Sequence, residues 1–382
     1  MQFRRFGKLD WHVSALGFGC MRLPTKDGSI ISADVNEAEA IRMIRYAIEQ
    51  GVNYVDSAYP YHLGRSEAVL GKALKGGYRE SVRLATKSPT WALKEAGDFD
   101  TYLNEQLARL QEEHIDLYLL HGLGARGWKK MLDLGVMSRA ESAVRDGRVG
   151  HLGFSFHDDF DAFKEIVDGY DGWKVCLIQH NYMDIENQAG TKGLRYAASK
   201  GLAVAVMEPL LGGSLANPPQ AVREIFDRFD EKRSPADWAL QWLWNQPEVS
   251  VVLSGMTSMK QVEENLVSAA ASRAGSLGES ELRLIERVRE KFKERAVIQC
   301  TKCGYCMPCP NMVDIPGNLE LYNDGVMYED WMAFRLSYAR MSGDARRAGE
   351  CKRCGECEEK CPQDIAISDW MPRIHEALGG ER

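Results

Sequence analysis

The sequence predicts an α/β protein: a closed (β/α)8 TIM barrel followed by a small, mainly α, cysteine-rich domain. Three observations predict it. Eight apolar, strand-like runs alternate with amphipathic segments over the first ~270 residues. Eight of the ten cysteines crowd between Cys300 and Cys361. The chain of 382 residues is long enough for a barrel of ~250 residues and an appended domain.

The elements follow in order. Phe3–Trp11 reads as a short hairpin with Gly7 at its turn, placed to plug the N-terminal end of a barrel. The strand runs are Val13–Gly19, Tyr54–Ala58, Val82–Thr86, Ile115–Leu120, Val149–Phe154, Val175–Gln179, Leu202–Met207 and Val249–Leu253. Helical spacing is clearest over Asn36–Gln50, Ser66–Leu74, Tyr102–Glu112 and Ser258–Ala269, with start and stop signals such as Asp34 and Gly51. Repeated strand–helix alternation implies a parallel sheet. Closure is favoured over an open doubly wound sheet because the strands number eight and no Gly-x-Gly-x-x-Gly follows the first of them. A helix over Glu279–Glu294 closes this region, so the barrel is expected over 1–295 and the second domain over 296–382, with a further helical stretch near Tyr328–Ala339.

Composition is ordinary for a globular protein, at 45% hydrophobic and 27% charged residues. A net charge of −7 argues against a nucleic-acid partner. Met1–Trp11 has no apolar secretion core, and no run of ~18 apolar residues offers a membrane span. The cytoplasm is then the expected compartment. There, clustered cysteines point to metal or cluster binding rather than disulfides.

The second cysteine run, Cys351-x2-Cys354-x2-Cys357-x3-Cys361-Pro362, has the spacing of a bacterial ferredoxin motif. The first, Cys300-x2-Cys303-x2-Cys306-x2-Cys309-Pro310, is one residue shorter before its last cysteine. Three thiolates at i, i+3 and i+6 can wrap one cubane, while in two-cluster ferredoxins the fourth ligates the other cluster. One 4Fe-4S cluster is therefore assigned to Cys300, Cys303, Cys306 and Cys361, and the other to Cys351, Cys354, Cys357 and Cys309. Zinc is the competing reading, but zinc pairs usually come as two Cys-x2-Cys hairpins without a trailing Cys-Pro. Cys20 and Cys176 are expected to be buried small hydrophobes.

In the barrel, Asp56, Lys87 and His121 fall at the ends of the second, third and fourth strands, and Tyr61 follows Asp56 in the next loop. Strand ends of a TIM barrel face the C-terminal side, where active sites form. The set suits carbonyl reduction. Tyr61 would supply the proton, Lys87 would lower its pKa, Asp56 would hold Lys87, and His121 would orient the carbonyl oxygen. Three histidines, His151, His157 and His180, read as rim or core residues, and Trp238 and Trp242 as packing on one helix face.

These residues carry a resemblance. Asp56-Ser-Ala-Tyr-Pro-Tyr61 with Ser66-Glu67, then Lys87 and His121, is similar to the catalytic segments of the aldo-keto reductase family. The resemblance covers residues 1 to about 295, and the whole chain resembles the ferredoxin-fused branch of that family. It implies an oxidoreductase that binds a nicotinamide cofactor, NADP or NAD. The matching positions would be Gly19, Cys20, Met21, Ser155, Gln179, Asn181, Met207, Glu208, Pro209, Leu210, Gly212, Ser254, Gly255, Glu264 and Asn265. This sequence departs from the family pattern in several places. His62 stands where the family usually has Gly, Phe156 where many members have Asn, and Met207 where many have an aromatic residue. Ser254–Met259 contains no Arg or Lys for a 2′-phosphate, and Lys260 follows. No motif points to flavin, which stays a further alternative.

Three functions are compatible with this reading. The first is nicotinamide-dependent hydride transfer on a small carbonyl or alcohol, coupled to electron transfer through the clusters, with a redox protein as candidate partner. The second is an electron-transfer module whose barrel is a docking body. The third is a reductase whose clusters are structural. Neither the substrate nor the oligomeric state is legible.

Overall fold

The structure is a computed structural model and describes residues 1–29, 32–341 and 346–380. It divides into two compact units. One comprises Met1–Leu210 and Asp237–Gly278; the other comprises Leu211–Ala236 and Glu279–Arg382.

The first unit is the expected closed barrel. Two short strands, β1 (Phe3–Arg5) and β2 (His12–Ser14), pair antiparallel ahead of it. The barrel strands are β3 (Leu16–Gly19), β4 (Tyr54–Asp56), β5 (Arg83–Ser88), β6 (Ile115–Leu123), β7 (Val149–Phe156), β8 (Val175–Gln179), β9 (Ala203–Met207) and β10 (Val249–Gly255). Their order is β10-β3-β4-β5-β6-β7-β8-β9, closed and parallel throughout. Both faces of each strand are covered, which is why the runs are nearly continuously apolar rather than alternating.

The sequence reading began the first barrel strand at Val13. In the structure Val13 belongs to the hairpin, pairing with Arg4, and the barrel strand starts at Leu16. The physical reason is burial. Val13 and Phe6 are fully buried and close the inner core formed by Tyr54, Ala85, Leu117, Leu119, Val175, Leu177, Ala203, Ala205, Val251 and Leu253. The hairpin is thus the expected plug. Gly7, at φ 58, lets its loop press onto the barrel floor, where a Cβ would lie 2.4 Å from the Ala203 nitrogen.

Helices α1 (Glu37–Glu49), α2 (Arg65–Leu74), α3 (Asp98–Leu110), α4 (Ala125–Asp133), α5 (Val136–Arg145), α6 (Phe160–Asp168), α7 (Gly190–Ser199), α8 (Gln220–Asp227), α9 (Pro235–Trp244) and α10 (Met259–Ala271) fill the connections. Their starts follow local chemistry. Asn36 caps α1 by accepting from the Glu39 N–H, and Asp159 caps α6 by accepting from the Ala162 N–H at 2.9 Å. Their apolar stripes and the outer strand faces make the larger core, which contains both Cys20 and Cys176 fully buried.

The second unit contains α8, α11 (Glu279–Lys293), α12 (Ile315–Tyr328), α13 (Trp331–Ala339) and α14 (Ile367–Gly379). The expected closing helix of the barrel is α11, and it groups with this unit. The expected stretch Tyr328–Ala339 resolves into the end of α12 and the whole of α13, broken at Glu329 with φ 56.

Candidate active site and cysteine cradles

Strands β4, β5 and β6 are neighbours, and their C-terminal ends bring Asp56, Lys87 and His121 together. Tyr61 joins them through a tight turn whose N–H donates to the Ala58 carbonyl at 3.1 Å. That turn puts His62 at φ 50, the left-handed region that glycine fills without strain. Two hydrogen bonds hold the histidine there. Its Nε2 accepts from the Leu23 N–H at 3.0 Å, and Nδ1 donates to the Ser32 carbonyl at 2.8 Å. Burial lowers the His62 pKa, in keeping with one nitrogen accepting and the other donating. The departure from glycine at this position therefore comes with its own compensation.

Lys87 is the centre of the site. Its Nζ donates to Asp56 Oδ1, to the Ser57 carbonyl at 2.6 Å and to the Tyr61 hydroxyl oxygen at 3.3 Å. It also lies 4.8 Å from the centre of the Tyr61 ring. Burial opposes its charge, but the Asp56 carboxylate and the Tyr61 oxygen outweigh burial and leave its pKa above the ordinary lysine value. Burial pushes the Asp56 carboxyl up, against the pull of Lys87.

The Tyr61 phenol also titrates above its ordinary value. Burial raises it, Lys87 lowers it, and burial wins. Lys87 was expected to bring Tyr61 down; its pull is present, but the removal of water from the phenol is larger. His121 stands edge-on to Tyr61, ring centroids 6.0 Å apart, and its ring centroid lies 5.2 Å from that of Trp91. Burial, then the Lys87 charge, drives its pKa far below the usual histidine range. Its buried Nδ1 has no partner among the described residues, and neither has Asp56 Oδ2.

A buried polar network invisible to sequence reasoning supports Lys87. Thr86 Oγ1 donates to Glu67 Oε1 at 2.6 Å, and Gln106 Nε2 donates to the same oxygen and to the Lys87 carbonyl at 3.1 Å. Tyr118 donates to Gln106 Oε1 at 2.6 Å, and Arg109 reaches the second Glu67 oxygen at 3.4 Å. Of these, only Glu67 had a signal, beside Ser66 in the motif after Tyr61. Helix α3 presents Gln106 and Arg109 from far along the chain.

The expected nicotinamide positions are spread over several strand ends. Gly19 lies at the end of β3, beside Gly255 at the end of β10. Cys20 is buried, burial pushes its thiol up, and its carbonyl accepts from Ser66 Oγ at 2.9 Å; Met21 follows in the same short turn. Ser155 Oγ accepts from the Gly122 N–H at 2.7 Å. Gln179 and Asn181 both donate to Asp184. Met207 ends β9, Glu208 follows at φ 53, and Pro209 and Leu210 end the first of the two segments that make the first unit. Gly212 belongs to the second unit, in a turn at φ 68. Asn265 donates to Ser254 Oγ at 3.0 Å. Glu264 and Lys260 are exposed, 3.7 Å apart. Of the three histidines read as bland, His180 is buried 3.3 Å from Gln246 Oε1, His151 packs on Trp11, and His157 is exposed beyond β7.

In the second unit the cysteines ring two cavities. One is lined by Cys300, Cys303, Cys306 and Cys361. The other is lined by Cys309, Cys351, Cys354 and Cys357, with Cys306 also at its wall. The two runs share a backbone pattern. Lys302 and Arg353 have φ 55, Gly304 and Gly355 have φ 77 and 81, and the Lys302 and Arg353 N–H groups each point at a cysteine sulfur 3.4 Å away.

Helix α12 anchors the lead-in to each run with a buried asparagine. Asn323 accepts from the Val297 and Ile298 N–H groups at 3.1 and 2.9 Å and donates to the Ile298 carbonyl at 2.7 Å, just before Cys300. Asn318 accepts from the Ala348 N–H and donates to the Arg346 carbonyl, both at 2.9 Å, just before Cys351. Sequence reasoning missed both, because an asparagine inside a helix carries no local mark of such a partner.

Residues 15–290 match the aldo/keto reductase family, and residues 299–366 match the 4Fe-4S dicluster domain. L-galactose dehydrogenase of Arabidopsis thaliana is 26% identical over 315 residues, covering 77% of this chain and 96% of that protein. Protein tas of Escherichia coli is 25% identical over 357 residues, covering 76% of this chain and 99% of that protein. The holo form of aldo-keto reductase AKR11C1 from Bacillus halodurans superposes with a TM-score of 0.62 at 25% identity, covering 75% and 96% of the two chains. With its barrel, its dicluster domain and these relatives on record, the chain is an oxidoreductase that belongs to the aldo/keto reductase family.

Proposed function

We propose that this oxidoreductase transfers hydride between a nicotinamide cofactor and a small carbonyl or alcohol, coupled to one-electron transfer through two 4Fe-4S clusters. The observation that carries the first half is the Lys87 ammonium, bonded to Asp56 and 3.3 Å from the Tyr61 hydroxyl. When bound, the dinucleotide supplies or accepts the hydride. The chain's own residues handle the proton. In reduction, Tyr61 gives its hydroxyl proton to the developing alkoxide, and Lys87 stabilises the phenolate left behind. Asp56 keeps Lys87 charged and aimed. His121 is neutral, so its remaining N–H can donate to the carbonyl oxygen without adding a second cation beside Lys87.

The residues at the strand ends fit the carboxamide end of a nicotinamide. Ser155 accepts one N–H and keeps its own hydroxyl hydrogen to donate, and Gln179 offers a carbonyl oxygen. For the clusters, one cavity lined by Cys300, Cys303, Cys306 and Cys361, and one lined by Cys309, Cys351, Cys354 and Cys357 with Cys306 at its wall, support the crossed sets. The match of residues 299–366 to a 4Fe-4S dicluster domain supports clusters over zinc. Two one-electron centres also match in number the two electrons of one hydride.

The test is anaerobic titration of the iron-loaded protein. Binding of NADP or NAD to the oxidised protein, followed by cluster bleaching when a small alcohol substrate is added, is the expected result: the alcohol gives up a hydride and a proton, and the hydride's two electrons reduce the two clusters by one each. Failure of both dinucleotides to bind removes the nicotinamide half. Binding and turnover without any change in the clusters removes the coupling.

A further inference from the structure

The geometry points to Asp184 as a positioning residue that sets which end of the Gln179 amide faces the nicotinamide carboxamide. This rests on the nicotinamide reading above. Asp184 Oδ2 accepts from Gln179 Nε2 at 2.8 Å and from Asn181 Nδ2 at 3.1 Å. A carboxylate cannot donate, so it draws both NH2 groups toward itself and turns the Gln179 oxygen the other way. That oxygen holds one partner, Gln188 Nε2 at 3.3 Å, and has a second lone pair free to accept.

Asn181 plays a different part. Its Oδ1 accepts from the Met183 and Asp184 N–H groups at 2.9 and 3.0 Å, and its Nδ2 is shared between Asp184 and the Glu208 carbonyl at 3.1 Å. Both of its donors and both of its acceptor positions are taken. It ties the loop after β8 to the residue after β9, where Glu208 is held at φ 53. Gln179 is therefore the amide that meets the ligand, and Asp184 decides that it does so as an acceptor. The matching group on the ligand is the carboxamide NH2. This matters more here because Phe156 follows Ser155, leaving no second amide at that position.

The prediction is read in binding rather than turnover, by quenching of tryptophan fluorescence. The probes are NAD, NADP and their 3-acetylpyridine analogues, which carry a methyl ketone in place of the carboxamide and so lack the NH2. Wild-type protein should bind the natural dinucleotide about tenfold more tightly than its analogue, one hydrogen bond's worth of discrimination. Asp184→Leu frees the Gln179 amide to rotate, and the ratio should fall to within about twofold. Asp184→Asn keeps a carbonyl acceptor and should restore most of the ratio. A purely structural role would weaken both ligands together and leave the ratio unchanged, which overturns the proposal. Gln179→Leu should also abolish the ratio, and a full ratio in that variant overturns the proposal even should Asp184→Leu not fold. Wild-type protein that binds neither dinucleotide refutes the nicotinamide reading itself, a distinct outcome.

Discussion

The Lys87 ammonium sits 3.3 Å from the Tyr61 hydroxyl oxygen while also donating to Asp56, in a pocket where both Lys87 and Asp56 are almost wholly removed from water. One cation thus faces an anion on one side and a neutral phenol on the other. The arrangement leaves Tyr61 protonated at rest and stabilises it once its proton has gone.

Tyr61→Phe should lower kcat by about two to four orders of magnitude, the usual size of a general acid contribution, with dinucleotide binding retained. Lys87→Met should lose at least as much, because it also strands the Asp56 carboxylate. Steady-state kinetics alongside fluorescence titration separate the two effects. A Tyr61→Phe enzyme with unaltered turnover would remove the proton-transfer role.

The pH dependence follows from the directions of the shifts. In the proposed mechanism reduction needs the Tyr61 phenol protonated, and burial holds its pKa above the ordinary value of about 10. Below that pKa the proton is in place, so kcat for reduction should be flat across neutral pH and fall only at strongly alkaline pH. Alcohol oxidation needs the phenolate and should rise with pH over the same range. His121 is held far below the usual histidine range, so neither profile should break near ~6.5. A break there that disappears on replacing His121 would show that it titrates.

Cys361→Ser tests crossed ligation. Cys361 ends the second run but lines the cavity of the first, with Cys300, Cys303 and Cys306. The variant should lose about four of eight irons, and the electron paramagnetic resonance signal that remains should belong to the cluster of the second run. Loss of the second run's own cluster instead would mean each run binds locally.

Asn318→Leu removes the side chain that holds the Arg346 and Ala348 backbone, taking the acceptor from the buried Ala348 N–H and one of the two donors from the Arg346 carbonyl, which keeps the Asp314 N–H. We expect a loss of about 2–3 kcal/mol and faster release of iron from the cluster of the second run. Denaturant unfolding and iron release to a chelator measure the two. Asn323→Leu should do the same for the first run.

Glu67→Ala takes from Thr86 its buried acceptor and from Gln106 and Arg109 one acceptor each. A destabilisation of about 3 kcal/mol is expected. A lower kcat should accompany it, since Gln106 also bonds the Lys87 carbonyl. An unchanged unfolding midpoint would show that the network relaxes without cost.

The sequence by itself determined the barrel, the grouping of Asp56, Tyr61, Lys87 and His121, and the two cysteine runs. Each is written in local order: apolar runs at strand length, a polar residue at the end of each of three successive strands, thiols three apart. Parallel strand order then turns nearness in sequence into nearness in space, which is why Asp56, Lys87 and His121 could be placed together without coordinates. Tertiary structure decided what depends on partners far along the chain. It moved Val13 out of the barrel wall and into the plug. It explained His62 by a backbone angle and two bonds to distant loops. It set the balance of burial against charge at Tyr61, and it disclosed Asp184, Asn318 and Asn323. Such roles rest on a hydrogen bond to one particular atom or on the loss of surrounding water. Neither leaves a periodicity or spacing in the chain, so only the folded arrangement shows them.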